Sequence, residues 1–187
     1  MDDTLREIAE ALPETAEIAD PELRGAVLRV WAKALAKGGF DIPTLKRMPF
    51  SLLIEGLEAD FLTHVRTTCR LSIAVHDVLK EMWGSVVEID RDTLIAGALL
   101  ADVGKVLEYE EIEPGRFVKG AAGKALRHPF QSVGLCYDEG VPDAVMHIAA
   151  VHSWEGSRVK RTVEAIIFHH ADFIDFEVLG GSAGQAK

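Results

Sequence analysis

An apolar run without a polar face constrains this fold more than any other part of the sequence. Residues 93–101 read TLIAGALLA and contain no charged residue, and Asp102 follows them directly. A helix that is apolar on every side is stable only where other elements surround it. We therefore expect a buried central helix, with Asp92 as its N-cap, whose end carries Asp102.

The remaining apolar spacing favours more helices. Asp20, Pro21 and Gly38 have the residue types of an N-cap, a first helical position and a helix stop. Residues 38–50 contain two prolines, which predicts a loop with at most a short helix, and residues 109–120 predict a small hairpin. The fold class is thus all-α, a helical bundle with a hairpin insertion. The predicted helices besides the central one cover about residues 3–12, 21–37, 52–83, 129–138, 142–153 and 159–177.

The chain divides into three segments on this interpretation. Residues 1–58 form an N-terminal helical extension packed on the core, and residues 59–178 form the main helical domain. Residues 179–187 have little to bury, so we expect a disordered tail. A chain of 187 residues is long enough to bury a core and a deep pocket within one compact unit.

Composition excludes some partners. The formal charge of −10 and the pI near 5.1 disfavour long nucleic acid and anionic membranes. No apolar run approaches the roughly 20 residues of a membrane span, and the first residues do not resemble a secretory signal. Cys69 and Cys136 are expected to be free, buried thiols in a reducing compartment. We therefore expect a soluble, cytoplasmic protein, with its oligomeric state left open.

Histidines and aspartates lie at informative places in the predicted helices. Imidazole and carboxylate groups that converge from separate helices are what a metal site in a bundle requires. Taken alone, each of these residues is more often a hydrogen-bonded structural residue than a ligand. The residues concerned are His64, Asp102, His128, His152 and Asp172.

Four segments in order resemble one known family. LLADVGK (residues 99–105) resembles the LLHDIGK signature of the HD-domain metal-dependent phosphohydrolase superfamily, an all-α fold named for its His-Asp dipeptide. HPFQSVGL, HIAAVHSWEG and HHADFID resemble its later motifs, and the resemblance covers about residues 60–175. The resemblance implies that residues 59–178 form an HD-like domain.

This resemblance implies a ligand set. His64, Asp102 and Asp172 would hold one divalent ion, and Asp102 would bridge to a second ion held by His128 and His152. Two such ions lie about 3.5–4 Å apart in enzymes of this kind and make water acidic enough to attack phosphorus. The sequence does not distinguish Mn, Mg, Fe, Ni, Co or Zn, nor one ion from two.

Ala101 stands where the family has the histidine of its name. One alternative is a single ion held by Asp102, His128 and His152. A second is replacement by His169, which shares a helix face with Asp172. For His169 alone, however, the sequence favours a role as a hydrogen-bonding partner behind the ligands or as a buried polar residue. The third is a site disabled by natural or deliberate replacement of the histidine.

The chain also contains a literal His76-Asp77 pair. It lies in the middle of the predicted helix 52–83 and is not followed by Gly-Lys. We interpret it as a surface or structural pair. Trp154 and Glu155, directly after the HIAAVHS segment, could instead form a pocket wall and a polar contact, although Trp154 has an equal interpretation as ordinary packing.

Basic residues near the motifs suggest an anionic substrate. Lys105 matches the lysine of the family's Gly-Lys, which implies contact with phosphate or its leaving oxygen; the alternative is a solvated lysine past a helix end. Residues 115–127 contain no acid in an otherwise acidic chain, which indicates either an anion-binding segment or a flexible basic loop. The predicted substrate-binding residues are Lys105, Arg116, Lys119, Lys124 and Arg127.

The leading functional hypothesis is a metal-dependent hydrolase of a phosphorylated small molecule or nucleotide, with Asp102 and Lys105 as catalytic residues. DVGKVLEY and GKALRHP also resemble the spacing in HD-domain 3'-to-5' exoribonucleases, but the nucleic-acid-binding module of those enzymes is not seen in this sequence. A phosphomonoester or small phosphodiester is therefore preferred to long RNA. Two alternatives stay open: a non-catalytic metal- or nucleotide-binding module, and a di-iron oxygenase on the same fold.

Overall fold

Helices account for most of the chain in a computed structural model that describes residues 2–54 and 59–181. The strands β1 (Tyr109–Glu113) and β2 (Arg116–Lys119) pair as an antiparallel hairpin, with Gly115 at φ 78° in its turn. The predicted all-α class with a small hairpin is confirmed. The helices are α1 (Asp3–Ala11), α2 (Pro21–Gly38), α3 (Ile42–Leu45), α4 (Phe61–Trp83), α5 (Arg91–Leu100), α6 (Lys105–Glu108), α7 (Ala121–Ala125), α8 (His128–Asp138), α9 (Asp143–Val151) and α10 (Val163–Phe176).

The predicted central helix is α5. Its residues 93–100 are all buried, and it packs against α2, α4, α9 and α10. Gly97 lets α9 approach closely, because a Cβ atom at this position would lie 2.3 Å from Cδ1 of Ile148. The helix is therefore apolar on every side because neighbouring helices surround it.

The start of α5 differs from the prediction. Asp90, not Asp92, is the N-cap, and its carboxylate accepts the N–H of Thr93 at 3.0 Å. Asp92 instead accepts the backbone N–H groups of Ala19 and Asp20 at 2.9 and 2.8 Å. The carboxylate expected to cap the helix thus ties the N-terminal segment to it.

The N-terminal segment shares the core of the main domain. α2 packs against α5, α6 and α8. Trp31 is fully buried, and its indole Nε1–H donates to the carbonyl oxygen of Leu99 at 3.0 Å. This bond joins α2 to the last turn of the central helix.

Several boundaries also differ from the sequence-based expectation. The helix expected from about residue 52 begins at Phe61 after the N-cap Asp60, with residues 55–58 outside the described part. α10 begins at Val163 and not near 159, because a 3-10 turn occupies residues 154–158. The left-handed residue that ends α2 is Gly39, at φ 69°, and not Gly38. The short helices α6 and α7 were not expected.

Two further expectations concern thiols and chain ends. Cys69 and Cys136 are free and buried, as predicted. Of the predicted tail, residues 179–181 belong to an irregular turn that starts at Glu177 and is kinked at Gly180 (φ 109°), and residues 182–187 lie outside the described part. Within the described ranges, no helix is long and apolar enough to cross a membrane.

Candidate metal centre

Five side chains from five parts of the fold converge where α5 ends. His64 projects from α4, His128 from α8 and Asp172 from α10, while Asp102 and His152 follow the last residues of α5 and α9. They form two groups that share Asp102: His64 with Asp172, and His128 with His152. In each group the potential ligand atoms lie within 4.8 Å of one another.

The first group surrounds His64 with carboxylates. Its Nε2 lies 3.0 Å from Oδ2 of Asp102 and 3.2 Å from Oδ1 of Asp172, while its Nδ1 lies 2.7 Å from Oδ2 of Asp175. Burial lowers the pKa of His64, but the hydrogen bonds with these three carboxylates outweigh burial and raise it to about 10. This point in the protein therefore strongly favours positive charge.

The second group consists of acceptors that face each other. Nδ1 of His128 donates to Oε2 of Glu108 at 2.9 Å, and Nδ1 of His152 donates to the carbonyl oxygen of Ala149 at 2.8 Å. In a neutral imidazole, the other nitrogen is then a lone-pair acceptor. The two Nε2 atoms lie 3.4 Å apart, and Oδ1 of Asp102 lies 3.1 Å from the first and 3.5 Å from the second.

This arrangement fits a cation. Oδ1 of Asp102 is buried and accepts no hydrogen bond from any described residue. Buried acceptors in such a position repel each other unless a proton or a metal ion lies between them. Nitrogen and carboxylate ligands of this kind suit divalent transition metals, and the donor set does not select one of them.

The comparison with known families agrees with this geometry. The family model described as "HD domain" matches residues 61–177, which is more than half of the chain. The chain belongs to the HD-domain family. The resemblance inferred from the sequence motifs is thereby confirmed.

A curated relative adds to this assignment. The chain is 33% identical over 122 residues to dihydroneopterin 2',3'-cyclic phosphate phosphodiesterase of Methanocaldococcus jannaschii. The match covers 65% of this chain and 48% of the relative, so this chain spans about half the length of that protein. No solved structure matches.

Lys105 of this HD domain lies inside the site and is not a solvated lysine. Its Nζ is 2.9 Å from Oδ2 of Asp102 and 5.9 Å from the ring centres of both Phe50 and Phe61. Burial lowers the pKa of Lys105, but the charge of Asp102 raises it above its usual value. Burial likewise raises the pKa of Asp102, yet Lys105 and the imidazoles hold it well below its usual range. Both groups are therefore charged at neutral pH.

Ala101, where the sequence motif predicts the family's histidine, offers no side-chain ligand. Its side chain is fully buried, and its carbonyl oxygen accepts the hydroxyl of Ser132 at 2.8 Å. The same hydroxyl oxygen accepts the N–H of Gly104 at 2.9 Å. Ser132 thus binds both sides of the turn that carries Asp102.

The structure places two other histidines outside both ligand groups. His169 donates from Nδ1 to the carbonyl oxygen of His152 at 2.6 Å, so it lies behind a predicted ligand and not beside it. His76 is buried in α4 with Nδ1 2.8 Å from exposed Asp77, as expected of a structural pair.

Two carboxylates of this HD domain that bind predicted ligands were not expected from the sequence. Asp175 and Glu108 each bind the Nδ1 atom of a predicted ligand, His64 and His128. Burial raises the pKa of Glu108, but the hydrogen bonds from His128 lower it to about 2, so it is ionised. Asp175 could have been found, because it lies three residues after Asp172 on the same helix face. Glu108 is 20 residues from His128 and gives no comparable signal.

A cavity of about 370 Å³ opens onto the two ligand groups. Of the five predicted substrate-binding residues, Lys105, Lys119 and Arg127 line it. Lys119 lies 3.1 Å from Glu108, and Arg127 lies 3.2 Å from Glu155. The structure does not bring the other two to the cavity: Arg116 pairs with Glu113 on the hairpin, and Lys124 is exposed on α7.

Proposed function

We propose that this HD domain is a metal-dependent hydrolase that cleaves a phosphodiester bond in a small molecule. The observation that carries the proposal is the convergence of Asp102, His128 and His152, whose buried Oδ1 and Nε2 atoms lie 3.1–3.5 Å from one another. The relative's activity supports hydrolysis of a small cyclic phosphate and favours it over oxygenase chemistry.

Two sets of residues would hold the metal. His64 and Asp172 would bind one ion, His128 and His152 the other, and Asp102 would contact both. Divalent ions supply Lewis acidity: they withdraw charge from phosphoryl oxygens and lower the pKa of water. The first set has one imidazole and the second has two, because Ala101 contributes none.

The residues behind these ligands orient them. Asp175 and Glu108 bind the Nδ1 atoms of His64 and His128, so each Nε2 points to the centre. Carboxylate partners of this kind fix the tautomer and increase the basicity of a ligating histidine. The imidazoles are therefore positioned before any ion binds.

The cavity residues would bind the phosphoryl group. Lys105 is protonated and has a buried ammonium group beside Asp102, where it can donate to a phosphoryl oxygen as negative charge develops. Lys119 and Arg127 line the same cavity and would hold the remaining oxygens.

Charge balance makes anion binding dependent on metal. The cavity lining contains three carboxylates (Asp102, Glu108 and Asp172) and three cations (Lys105, Lys119 and Arg127). When metal is bound and the ligating histidines are neutral, these charges cancel and each divalent ion adds two positive charges. Without metal, His64, whose pKa is raised to about 10, adds only one. A phosphate ester is therefore expected to bind more tightly to the metal-loaded protein.

Ala101 supports a second candidate, a module that binds metal and nucleotide without turnover. With Ala101 buried and unable to coordinate, the His64 group has fewer ligands than the family pattern provides. The same assay distinguishes the two functions.

The test compares two aspartates that are each the second residue of an HD-like dipeptide, Asp102 in Ala101-Asp102 and Asp77 in His76-Asp77. The chain is stripped with a chelator, loaded separately with Mn²⁺, Fe²⁺ or Zn²⁺, and given 2',3'-cyclic AMP, with product measured by chromatography. We expect metal-dependent hydrolysis, reduced in Asp102→Asn by more than the roughly 100-fold typical for a residue behind a ligand.

Asp77→Asn is the matched control, because Asp77 is exposed and lies outside both ligand groups. It should hydrolyse at the wild-type rate. Stoichiometric metal binding with no turnover of cyclic phosphates, other phosphodiesters or phosphomonoesters would contradict hydrolysis and favour the binding module.

A further inference from the structure

One aromatic side chain at the cavity is unusually exposed. Trp154 lines the same cavity as His128 and His152, yet 74% of its surface is accessible. It follows His152 by only two residues. We propose that Trp154 is a stacking platform for a planar heteroaromatic ring of the substrate, such as a purine, which rests on the proposed binding of the phosphoryl group beside Asp102.

The cavity has room and chemistry for more than a phosphoryl group. Its volume of about 370 Å³ is in the range of pockets that hold whole small molecules. Besides Trp154, the lining includes two other partly exposed apolar side chains, Phe173 at 37% and Leu53 at 84% exposure. The cavity thus has two parts. Its floor is buried and polar and includes Asp102, Lys105, His128 and His152, and its rim is apolar and solvent-accessible and includes Leu53, Trp154 and Phe173.

The backbone that carries Trp154 is fixed. Arg161 donates to the carbonyl oxygen of Val151 at 2.9 Å, and His169 donates to that of His152 at 2.6 Å. The next turn folds tightly over these carbonyls, since a Cβ atom at Gly156 would lie 1.9 Å from the oxygen of Val151. The backbone that carries the exposed indole is therefore held in place beside the cavity, which limits the ordering needed for the side chain to bind a ring.

A cation lies at the same rim. Glu155, next to Trp154, lies 3.2 Å from Nε of Arg127, and Arg127 lines the cavity directly before His128. This ion pair joins the Trp154 turn to the start of α8. A group that can bind phosphate and a ring that can stack are thus held together on one side of the cavity.

Stacking selects for a flat ring. Stacking of a base on the indole face stabilises a bound nucleotide. A phosphate ester of an aliphatic alcohol with the same charge has no ring and gains no such stabilisation. A substrate with both a phosphoryl group and a heteroaromatic ring would use the floor and the rim together. Ribose phosphate or glycerol phosphate would use the floor alone.

Binding is tested with the Zn²⁺-loaded chain, with 5'-GMP as the probe and ribose 5-phosphate as its counterpart without a ring. We expect 5'-GMP to bind about tenfold more tightly and to quench indole fluorescence. Trp154→Ala should lose the quenching and bind 5'-GMP about tenfold more weakly, with ribose 5-phosphate unaffected. Trp154→Tyr should restore most of the 5'-GMP affinity.

The other tryptophans supply the control. Trp31 is fully buried, whereas Trp83 is 56% exposed on α4 and does not line the cavity. Trp83→Ala should therefore retain wild-type affinity for 5'-GMP and the quenching. Equal binding of the two probes, no binding of 5'-GMP, or an equal loss of both probes in Trp154→Ala would each overturn the stacking role.

Turnover is measured separately, so the two proposals fail in different ways. Discrimination between 5'-GMP and ribose 5-phosphate without any hydrolysis would leave the stacking role intact and overturn only the hydrolase. Hydrolysis of glycerol 1,2-cyclic phosphate, with KM and kcat unchanged in Trp154→Ala, shows that the phosphoryl site works without the ring. An equal change in KM for this compound and for 2',3'-cyclic GMP would overturn the stacking role.

Discussion

Ala101 makes the two ligand groups unequal. The His64 group offers one imidazole with two carboxylates, whereas the other offers two imidazoles with the shared Asp102. Late divalent transition metals bind more strongly to sites that are richer in nitrogen. Under the proposed ligand assignment, an ion at His128 and His152 should therefore bind more tightly than one at His64.

We predict that the wild-type chain binds one ion tightly and that Ala101→His raises the content towards two. The added imidazole would supply the ligand that Ala101 lacks. Metal per chain is measured by elemental analysis after gel filtration. Ala101→Val is the control that adds bulk without a ligand, and circular dichroism verifies that both variants fold. A folded Ala101→His that still binds one ion would refute the predicted role of this position.

The sequence predicted the side chains that point into the site, but not the carboxylates that hydrogen-bond to the far side of the histidine rings. A buried helix that ends in Asp102 must place that carboxylate at the edge of the core, so this residue follows from the pattern and from the family motif. Glu108 and Asp175 depend on which ring nitrogen of His128 and His64 faces the centre. That orientation is decided by three-dimensional packing, so neither local spacing nor composition indicates it.

The turn after α5 positions Asp102 through its contact with α8. A Cβ atom on Gly104 would lie 2.3 Å from the carbonyl oxygen of His128 and 2.8 Å from the backbone nitrogen of Ser132. Backbone atoms in a buried contact cannot move away cheaply. Its φ of −63° is accessible to any residue, so glycine is needed here for the close contact with α8 and not for its backbone conformation.

We predict that Gly104→Ala lowers the free energy of unfolding by about 1–3 kcal/mol through overpacking. It should also weaken metal binding, because the turn and His128 would separate. Gly134→Ala is the matched control: this glycine is exposed on α8, and an added Cβ atom meets nothing within 4 Å. It should gain about 0.5–1 kcal/mol from helix propensity. Urea unfolding measures both, and equal stability of the two variants would contradict the close contact.

Helix positions were predictable where apolar periodicity is strong, and helix starts were less so. Asp90 and Asp92 are both good capping residues, and the sequence pattern alone favours either. The choice depends on Asp92 binding the N–H groups of Ala19 and Asp20, more than 70 residues away. The start of α10 was displaced in the same way, because the 3-10 turn of residues 154–158 folds back on α9.

The HD-domain match begins at residue 61, yet the chain before it helps to build the site. The carbonyl oxygen of Leu99 lies where α5 ends. In a continuing α-helix it would accept the N–H of Val103, but that N–H donates to the carbonyl oxygen of Leu100 at 3.2 Å. The indole N–H of Trp31 binds the Leu99 oxygen. An α2 side chain thus satisfies a buried carbonyl three residues before Asp102.

We predict that Trp31→Phe lowers the free energy of unfolding by about 1–3 kcal/mol, because the buried Leu99 oxygen loses its donor while most of the packing remains. Trp83→Phe, at a 56% exposed position, should change it by less than about 0.5 kcal/mol. Thermal and urea unfolding measure the stability, and calorimetry with Zn²⁺ measures metal affinity. Weaker Zn²⁺ binding in folded Trp31→Phe, but not in Trp83→Phe, is expected if α2 helps to fix the end of α5. Unchanged affinity with lowered stability would restrict the N-terminal segment to a role in folding.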